Sequence, residues 1–225
     1  MSLTMTEFWK NNLDKASSPY LQQHKDNPIH WQEWSNEAIK YSKNNDKIIF
    51  VSVGYSTCHW CHVMAHESFD DKEVAEYLNK NFVSIKVDRE QRPDIDSYLM
   101  NFIVNTQGTG GWPLNAFFTP ELKPILALTY VPASKKYGMP AFIEVLKTVK
   151  QFYEKGKTKN YQISINPEEE VDEEAVIDNI FSSYDEFAGG FGVEQKFPPH
   201  NTLLFLLNYY EHSKDKKIKD MVEKT

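Results

Sequence analysis

The spacing of apolar residues changes period several times along the chain, and each change marks an element. Lys47-Ile48-Ile49-Phe50-Val51-Ser52-Val53 is a nearly unbroken β-branched and aromatic run, the pattern of a buried strand. Phe82-Val83-Ser84-Ile85-Lys86-Val87-Asp88 alternates apolar with polar residues, the two-residue period of a strand. Between these runs, His62 to Ser68 contains no Gly or Pro, so a helix can begin near residue 58. Val74, Tyr77 and Leu78 then recur at helical spacing and stop near Asn79-Lys80-Asn81; Asp70 and Glu73 have the spacing of a capping box for that helix. Ser35 reads as the N-cap of an earlier helix through Asn44, with Ala38, Ile39 and Tyr41 as its apolar contacts. Pro93 suits the first position of another helix, with Ile95, Leu99, Phe102, Ile103 and Thr106 on one face. Gly108-Thr109-Gly110-Gly111 ends it. Trp112 to Thr119 then reads as a strand, Pro120 and Lys123-Pro124 bracket a turn, and Ile125 to Leu128 pairs back. Pro140 opens a helix with Phe142, Val145, Leu146, Val149 and Phe152 on its inner face.

The predicted order is helix, strand, helix, helix, strand, helix, two hairpin strands and a helix. Strands separated by helices run parallel and a hairpin runs antiparallel, so the fold class is α/β with a mixed, helix-covered sheet. That is the thioredoxin order with one extra N-terminal segment. The segment is an arm over residues 1–34 whose Phe8, Trp9, Pro19, Tyr20, Leu21, His24, Pro28, His30, Trp31 and Trp34 would pack onto the domain. A role for His24 or His30 near the cysteines is the alternative. The thioredoxin-like domain is expected over residues 35–154 and a polar linker over 155–166. Residues 167–225 would begin a helical domain. There Asn166-Pro167-Glu168-Glu169-Glu170 resembles a helix start, with acids that complement the dipole, and the helix continues from Ala175 to Phe187. Gly189-Gly190-Phe191-Gly192 breaks it; no strand precedes these glycines, so they are not a phosphate loop. Helices from Thr202 to Glu211 and from Asp215 follow. So few helices cannot close a core, and the tail reads as the opening of a truncated domain.

Composition narrows the partners. The net charge of −7, without a basic tract, argues against nucleic acid or an anionic membrane. No apolar run approaches the ~18 residues needed to span a bilayer. The first residues lack the charged-then-apolar pattern of a signal peptide, so the expected compartment is the cytoplasm. In a reducing compartment two cysteines are catalytic, sensing or metal-binding rather than structural.

Both cysteines lie in Tyr55-Ser56-Thr57-Cys58-His59-Trp60-Cys61-His62-Val63-Met64. Strand, turn, Cys-x-x-Cys and helix is the context of dithiol redox chemistry. Cys58 would sit at a helix N-terminus, where free N–H groups and the dipole favour a thiolate. It is the expected nucleophile, with Cys61 one turn on as resolver. His59 and Trp60 lie between them and would tune thiolate stability. Three alternatives remain: Cys58-His59-Trp60-Cys61-His62 formally matches a haem-attachment motif; Cys58, Cys61, His62 and His66 could form a zinc set; or the cysteines carry no chemistry. The redox reading calls for no cofactor and no metal. Trp112-Pro113 enters a strand after two glycines, where Pro is unexpected unless it lies at an edge or its bond is cis. A cis-Pro facing the cysteines would expose the Trp112 backbone to an extended substrate by β-augmentation. Asp88, Arg89 and Glu90, at a strand end, are weaker candidates.

These motifs, with Lys86-Val87-Asp88-Arg89-Glu90, Arg92-Pro93-Asp94, Gly110-Gly111-Trp112-Pro113 and the arm Ser18-Pro19-Tyr20-Leu21, resemble the spermatogenesis-associated-protein-20-like group of thioredoxin-domain proteins. The likeness covers about residues 9–153 and extends to Gly189-Gly190-Phe191-Gly192 and Lys196-Phe197-Pro198. It implies a thioredoxin domain followed by an α/α-barrel resembling sugar epimerases and glycosidases, of which only the opening is here. The missing helical domain would be a partner, alongside a protein or small-molecule disulfide substrate. A rival reading makes this chain a non-enzymatic binding or regulatory module of that domain. The wider likeness to thioredoxins implies a buried Asp six residues before the first cysteine, a position held here by Ser52, and a lysine on the next strand, placed at Ser84. Cys61 then needs another proton acceptor, for which His62, Glu67 and Asp88 are the candidates.

Overall fold

The computed structural model describes residues 10–136, 138–156, 172–192, 196 and 199–225. The chain divides into two compact units, Met1–Ile163 and Ser164–Thr225. Phe8, Trp9, most of the expected linker, the expected helix start at Asn166-Pro167 and the Phe197-Pro198 pair lie outside the described residues.

The first unit is built on strands β1 (Ile48–Gly54), β2 (Phe82–Asp88), β3 (Leu114–Phe118) and β4 (Pro124–Leu128), in the order β2-β1-β3-β4. β2 runs parallel to β1, and β3 and β4 run antiparallel to their neighbours, as expected of strands joined by helices and of a hairpin. The helices are α1 (Pro19–Gln22), α2 (Asn36–Asn44), α3 (His59–Met64), α4 (Lys72–Asn81), α5 (Pro93–Gln107) and α6 (Phe142–Glu154). The helix starts follow their caps. Ser35 Oγ accepts from Ala38 N–H, Pro93 opens α5, and Gly108 ends α5 in the left-handed region at φ 81°, where a Cβ would strain.

Local expectations shift in five places. The cap of α4 is Asp71, whose carboxylate accepts from Val74 N–H at 2.9 Å. Asp70 instead accepts from the Asn27 amide, and Glu73 pairs with Lys147. Between α3 and α4 the chain widens into one π-type turn, Ala65–Phe69. Thr106 turns its hydroxyl back to Phe102 O rather than joining the inner face of α5, where Asp96 is buried instead. Phe152 is 49% exposed on the outer side of α6.

The arm is core rather than covering. Leu13, Tyr20, Leu21, Ile29 and Trp31 are all buried. Gln32 extends the sheet beyond β2 by accepting from Lys86 N–H and donating its own N–H to Ser84 O, both at 2.9 Å. The edge of β2 is thereby paired. All seven residues of β2 are buried, including Ser84, Lys86 and Asp88.

The second unit holds α7 (Glu173–Ser183), α8 (His200–Ser213) and α9 (Lys216–Lys224) around Ile177, Leu206 and Ile218. Helix α7 ends four residues before the expected Phe187. Tyr184 turns extended, and the Asp185 carboxylate accepts from Phe187 and Ala188 N–H, closing a turn instead of another helical bond. No barrel closure is shown by these helices.

Candidate functional site

The site lies at the C-terminal end of β1. The strand delivers Gly54 and Tyr55, a short turn follows, and Cys58 caps α3: its Sγ accepts from Cys61 N–H at 3.2 Å. Cys58 and Cys61 are joined in a disulfide with Cα atoms 5.2 Å apart. Both are buried, at 4% and 1% exposure. The N–H groups of the first turn of α3 point toward Cys58, and this favours negative charge on its sulfur once reduced.

His59 and Trp60 are exposed, with the His59 ring edge-on to Trp60 at 5.7 Å. Trp60 leans on Tyr130 at 4.9 Å between centroids. The Tyr130 hydroxyl donates to Glu67 at 2.5 Å, and Lys136 Nζ donates to the other Glu67 oxygen at 2.7 Å. The Lys136 bond, then the Tyr130 bond, hold the Glu67 carboxyl below its usual range. His62 donates from Nε2 to Ser56 O at 2.7 Å and so ties α3 to the preceding turn. His66 is 80% exposed and contacts Asp70. Among the described residues, no three His, Cys, Asp or Glu side chains converge on a point that would hold a metal ion.

A second wall comes from the segment before β3. The Trp112–Pro113 peptide bond is cis. The Trp112 indole N–H donates to Asp96 Oδ1 at 2.7 Å, the Arg89 guanidinium lies 4.0 Å from the ring centroid, and Tyr55 meets the ring edge-on at 5.8 Å. Arg89 also pairs with Asp96 at 3.4 Å. Burial raises the Asp96 carboxyl above its usual range, against the pull of Trp112 and Arg89. Trp112 is thus clamped by three neighbours, which fixes the backbone that precedes Pro113.

Beneath the disulfide lies a polar layer that sequence reading registered only in fragments. Asp88 accepts from Ser18 Oγ at 2.5 Å and from Glu90 N–H at 2.9 Å. Lys86 is fully buried. Its Nζ donates to Ser52 Oγ at 2.9 Å and faces the rings of Tyr20, Trp31 and Phe69 at 4.7–5.2 Å. Burial drives its pKa well down. The sheet register pairs Ser52 with Lys86, and Ser84 with Phe50. The residue opposite Ser52 is therefore Lys86 and not Ser84, so the lysine of the thioredoxin pattern is present two residues further along β2. The signal for it is a lysine on the polar side of an alternating strand. His24 packs edge-on to Tyr20 at 5.0 Å, bonded to Asn27, and burial pushes its pKa down to about 2. His30 is half-buried beside Lys47 and Asn79.

A mixed sheet with a parallel β1–β2 pair, a Cys-x-x-Cys disulfide capping the helix after β1 and a cis-proline entering β3 define a thioredoxin-fold protein with a redox-type cysteine pair. Comparison with known proteins supplies the particular family. The chain belongs to the Thioredox_DsbH family, described as a protein of unknown function, DUF255, whose profile matches residues 10–173. It is 43% identical to an uncharacterized protein of Caenorhabditis elegans, over 99% of this chain and 33% of that protein. It is 38% identical to spermatogenesis-associated protein 20 of Homo sapiens, over 89% of this chain and 28% of that protein. The expected resemblance to that group holds. The chain spans a third or less of the length of these relatives. Among solved structures, one titled DsbH Oxidoreductase superposes with a TM-score of 0.42 at 19% identity, over 55% of this chain and 85% of that one. The fold assignment rests on the strand order and the position of the disulfide.

Proposed function

We propose that this domain is a thiol–disulfide oxidoreductase acting on protein or small-molecule disulfides. The observation that carries the reading is the Cys58–Cys61 disulfide at the N-terminus of α3, next to the strand end of β1. In the reduced protein, Cys58 attacks a substrate disulfide as a thiolate favoured by the amides of the first helical turn; Cys61 then displaces the substrate thiolate. Thiols in such settings have pKa values from ~3.5 to 7.5. A protonated His59 would favour the reduced form further. Trp60 and the clamped Trp112 form the rim, and the backbone before Pro113 offers an edge to an extended substrate.

Glutathione-buffered equilibration with mass-resolved alkylation tests this. A Cys58–Cys61 disulfide with a potential between ~−270 and −120 mV supports it. Failure of the pair to form across that range, with zinc in the purified protein, would instead support a binding or regulatory module. Residues 1–34, 35–154, 155–166 and 167–225 divide as arm, redox domain, linker and start of a helical domain. The length of the relatives leaves room for the remainder of such a domain. A compartment with a thiol reductant, such as the cytoplasm, suits a dithiol that must be regenerated. Among the described residues no helix is long and apolar enough to cross a membrane.

A further inference from the structure

Beneath the disulfide stands a hydroxyl with nothing to bond. Tyr20 is fully buried, and among the described residues its Oη has no hydrogen-bond partner. Leaving such a group unpaired is costly, so a partner supplied by another state of the protein would give the hydroxyl a purpose. The neighbour at hand is sulfur. Gly54 carries no Cβ, and the point where one would stand lies 2.2 Å from Tyr20 Oη and 2.6 Å from Cys61 Sγ. Oxygen and sulfur both lie close to the one point that a Cβ would occupy, and glycine leaves that point empty. The other polar groups considered for Cys61 are engaged: His62 with Ser56 O, Glu67 with Tyr130 and Lys136, Asp88 with Ser18 and Glu90 N–H.

We propose that Tyr20 donates a hydrogen bond to the Cys61 thiolate of the reduced protein and so serves the second cysteine of the exchange. This rests on the oxidoreductase reading above. In the disulfide, Cys61 Sγ is neutral and a weak acceptor. Two-electron cleavage of the S–S bond makes it anionic, and an O–H donor in a dry site is then worth more than in water. In the forward direction Cys58 thiolate attacks one sulfur of a substrate disulfide and expels the first substrate thiolate. Cys61 thiolate then attacks Cys58 Sγ, closes the protein disulfide and expels the second. The two protons given up by the cysteine thiols end on the two substrate thiolates through solvent. Tyr20 keeps its own proton, since burial and the nearby Asp88 carboxylate push its pKa upward. Its ring is held by the His24 edge and the Lys86 amine, and α1 that carries it is capped by Ser18.

Tyr20→Phe keeps the ring and removes only the oxygen. In a Cys58→Ser background, where Cys61 is the lone thiol, thiolate absorbance is titrated against pH. The Cys61 pKa is expected to rise by about one unit when Tyr20 becomes Phe, a tenfold loss of thiolate near neutrality. With both cysteines present, resolution of the Cys58–glutathione mixed disulfide should slow about threefold, because higher nucleophilicity offsets part of that loss. The oxidised protein should unfold at the same or higher denaturant concentration, since there the hydroxyl has no partner. An unmoved Cys61 pKa overturns the proposal. So does a loss of oxidised-state stability with both thiol readouts unchanged, the mark of a purely structural hydroxyl. Wild-type protein that never exchanges with glutathione sinks the oxidoreductase reading instead, and the Cys61 titration still decides for or against Tyr20.

Discussion

The two faces of the sheet are made of different materials. On one, Ile49, Val51 and Val53 of β1 meet Val83, Ile85 and Val87 of β2 and Leu114, Ala116 and Phe118 of β3, covered by Ala38, Ile95, Leu99, Phe102 and Ile103. On the other, Ile48 and Phe50 join Phe82 and Phe117, then give way toward the strand ends to Ser52, Lys86, Asn115 and Asp88, all buried. The strands supply both faces from alternate positions, so backbone geometry does not cause the contrast. The cover does. Helices α2 and α5 bring hydrocarbon to the first face, whereas the arm and α3 bring Tyr20, Trp31 and the cysteines to the second. Both faces carry core, and on the second the polar groups are confined to the end of the sheet that lies under the disulfide.

Removing hydrocarbon from the aliphatic face is the largest break of this comparison. Leu99 is fully buried there, and Leu99→Ala should cost about 2–5 kcal/mol by lost burial and an unfilled cavity. Urea unfolding measures the loss. The position of the Cys58–Cys61 equilibrium with glutathione should stay put, because no atom of Leu99 belongs to the polar face. A potential that moves with Leu99→Ala would mean that the two faces are mechanically coupled.

A pH series separates the faces next, by about 2 kcal/mol. The folded pKa of His24 is about 2 against 6.5 for the unfolded chain, mainly through burial. The unfolded state therefore binds more protons between those values, and stability rises with pH. It is full above about 6.5 and falls by up to about 1.4 kcal/mol per unit as acid is added. Wild-type protein should lose about 2 kcal/mol between pH 7 and pH 5 through this residue, and His24→Phe should lose correspondingly less over the same interval. Equal slopes would show that His24 is wet or charged in the fold. Ser18→Ala should cost about 1–2 kcal/mol, since one hydroxyl both caps α1 through Leu21 N–H and donates to buried Asp88. An unfolding midpoint that does not move would remove Asp88 from the polar layer.

What could be read in the sequence divides along the same line. The strands, the parallel pair, the hairpin and the Cys-x-x-Cys helix were legible because each leaves a period or a motif in consecutive residues. The aliphatic face follows from periods alone. The polar face does not, for a specific reason: the alternation in 82–88 says that Ser84, Lys86 and Asp88 share a side but not whether that side is wet. Tyr20 and Trp31 cover Lys86 together with Phe69, and Ser18 bonds Asp88; three of these four come from an arm with no period to place it. The alternation alone therefore points to Ser84 where the register requires Lys86, and it gives Tyr20 no role beyond that of an anchor. The cap of α4 failed on a finer scale, since Asp70 and Asp71 are adjacent and only the positions of Val74 and Asn27 decide which one turns inward.

The smallest expected effect sharpens the comparison most. Lys86 is buried among three aromatic rings with Ser52 as its hydrogen-bond partner, and burial holds its pKa well below 10.5. Between the lowered folded value and 10.5 the unfolded chain binds more protons at this position than the folded chain does. The lysine therefore weakens the fold below pH 10.5, and stability recovers as pH rises toward that value. Met has a similar length and no charge to desolvate, so Lys86→Met should leave stability at pH 7 within about 1 kcal/mol of wild type or raise it. Chemical unfolding at pH 7 and pH 9 checks both magnitude and sign, the advantage of Met shrinking at the higher pH. A loss of several kcal/mol would instead mean a charged amine held by partners, and the polar face would then carry stability as the aliphatic face does. If stability holds while exchange with glutathione slows, the amine serves the cysteines, and the two faces divide between holding the fold and performing the reaction.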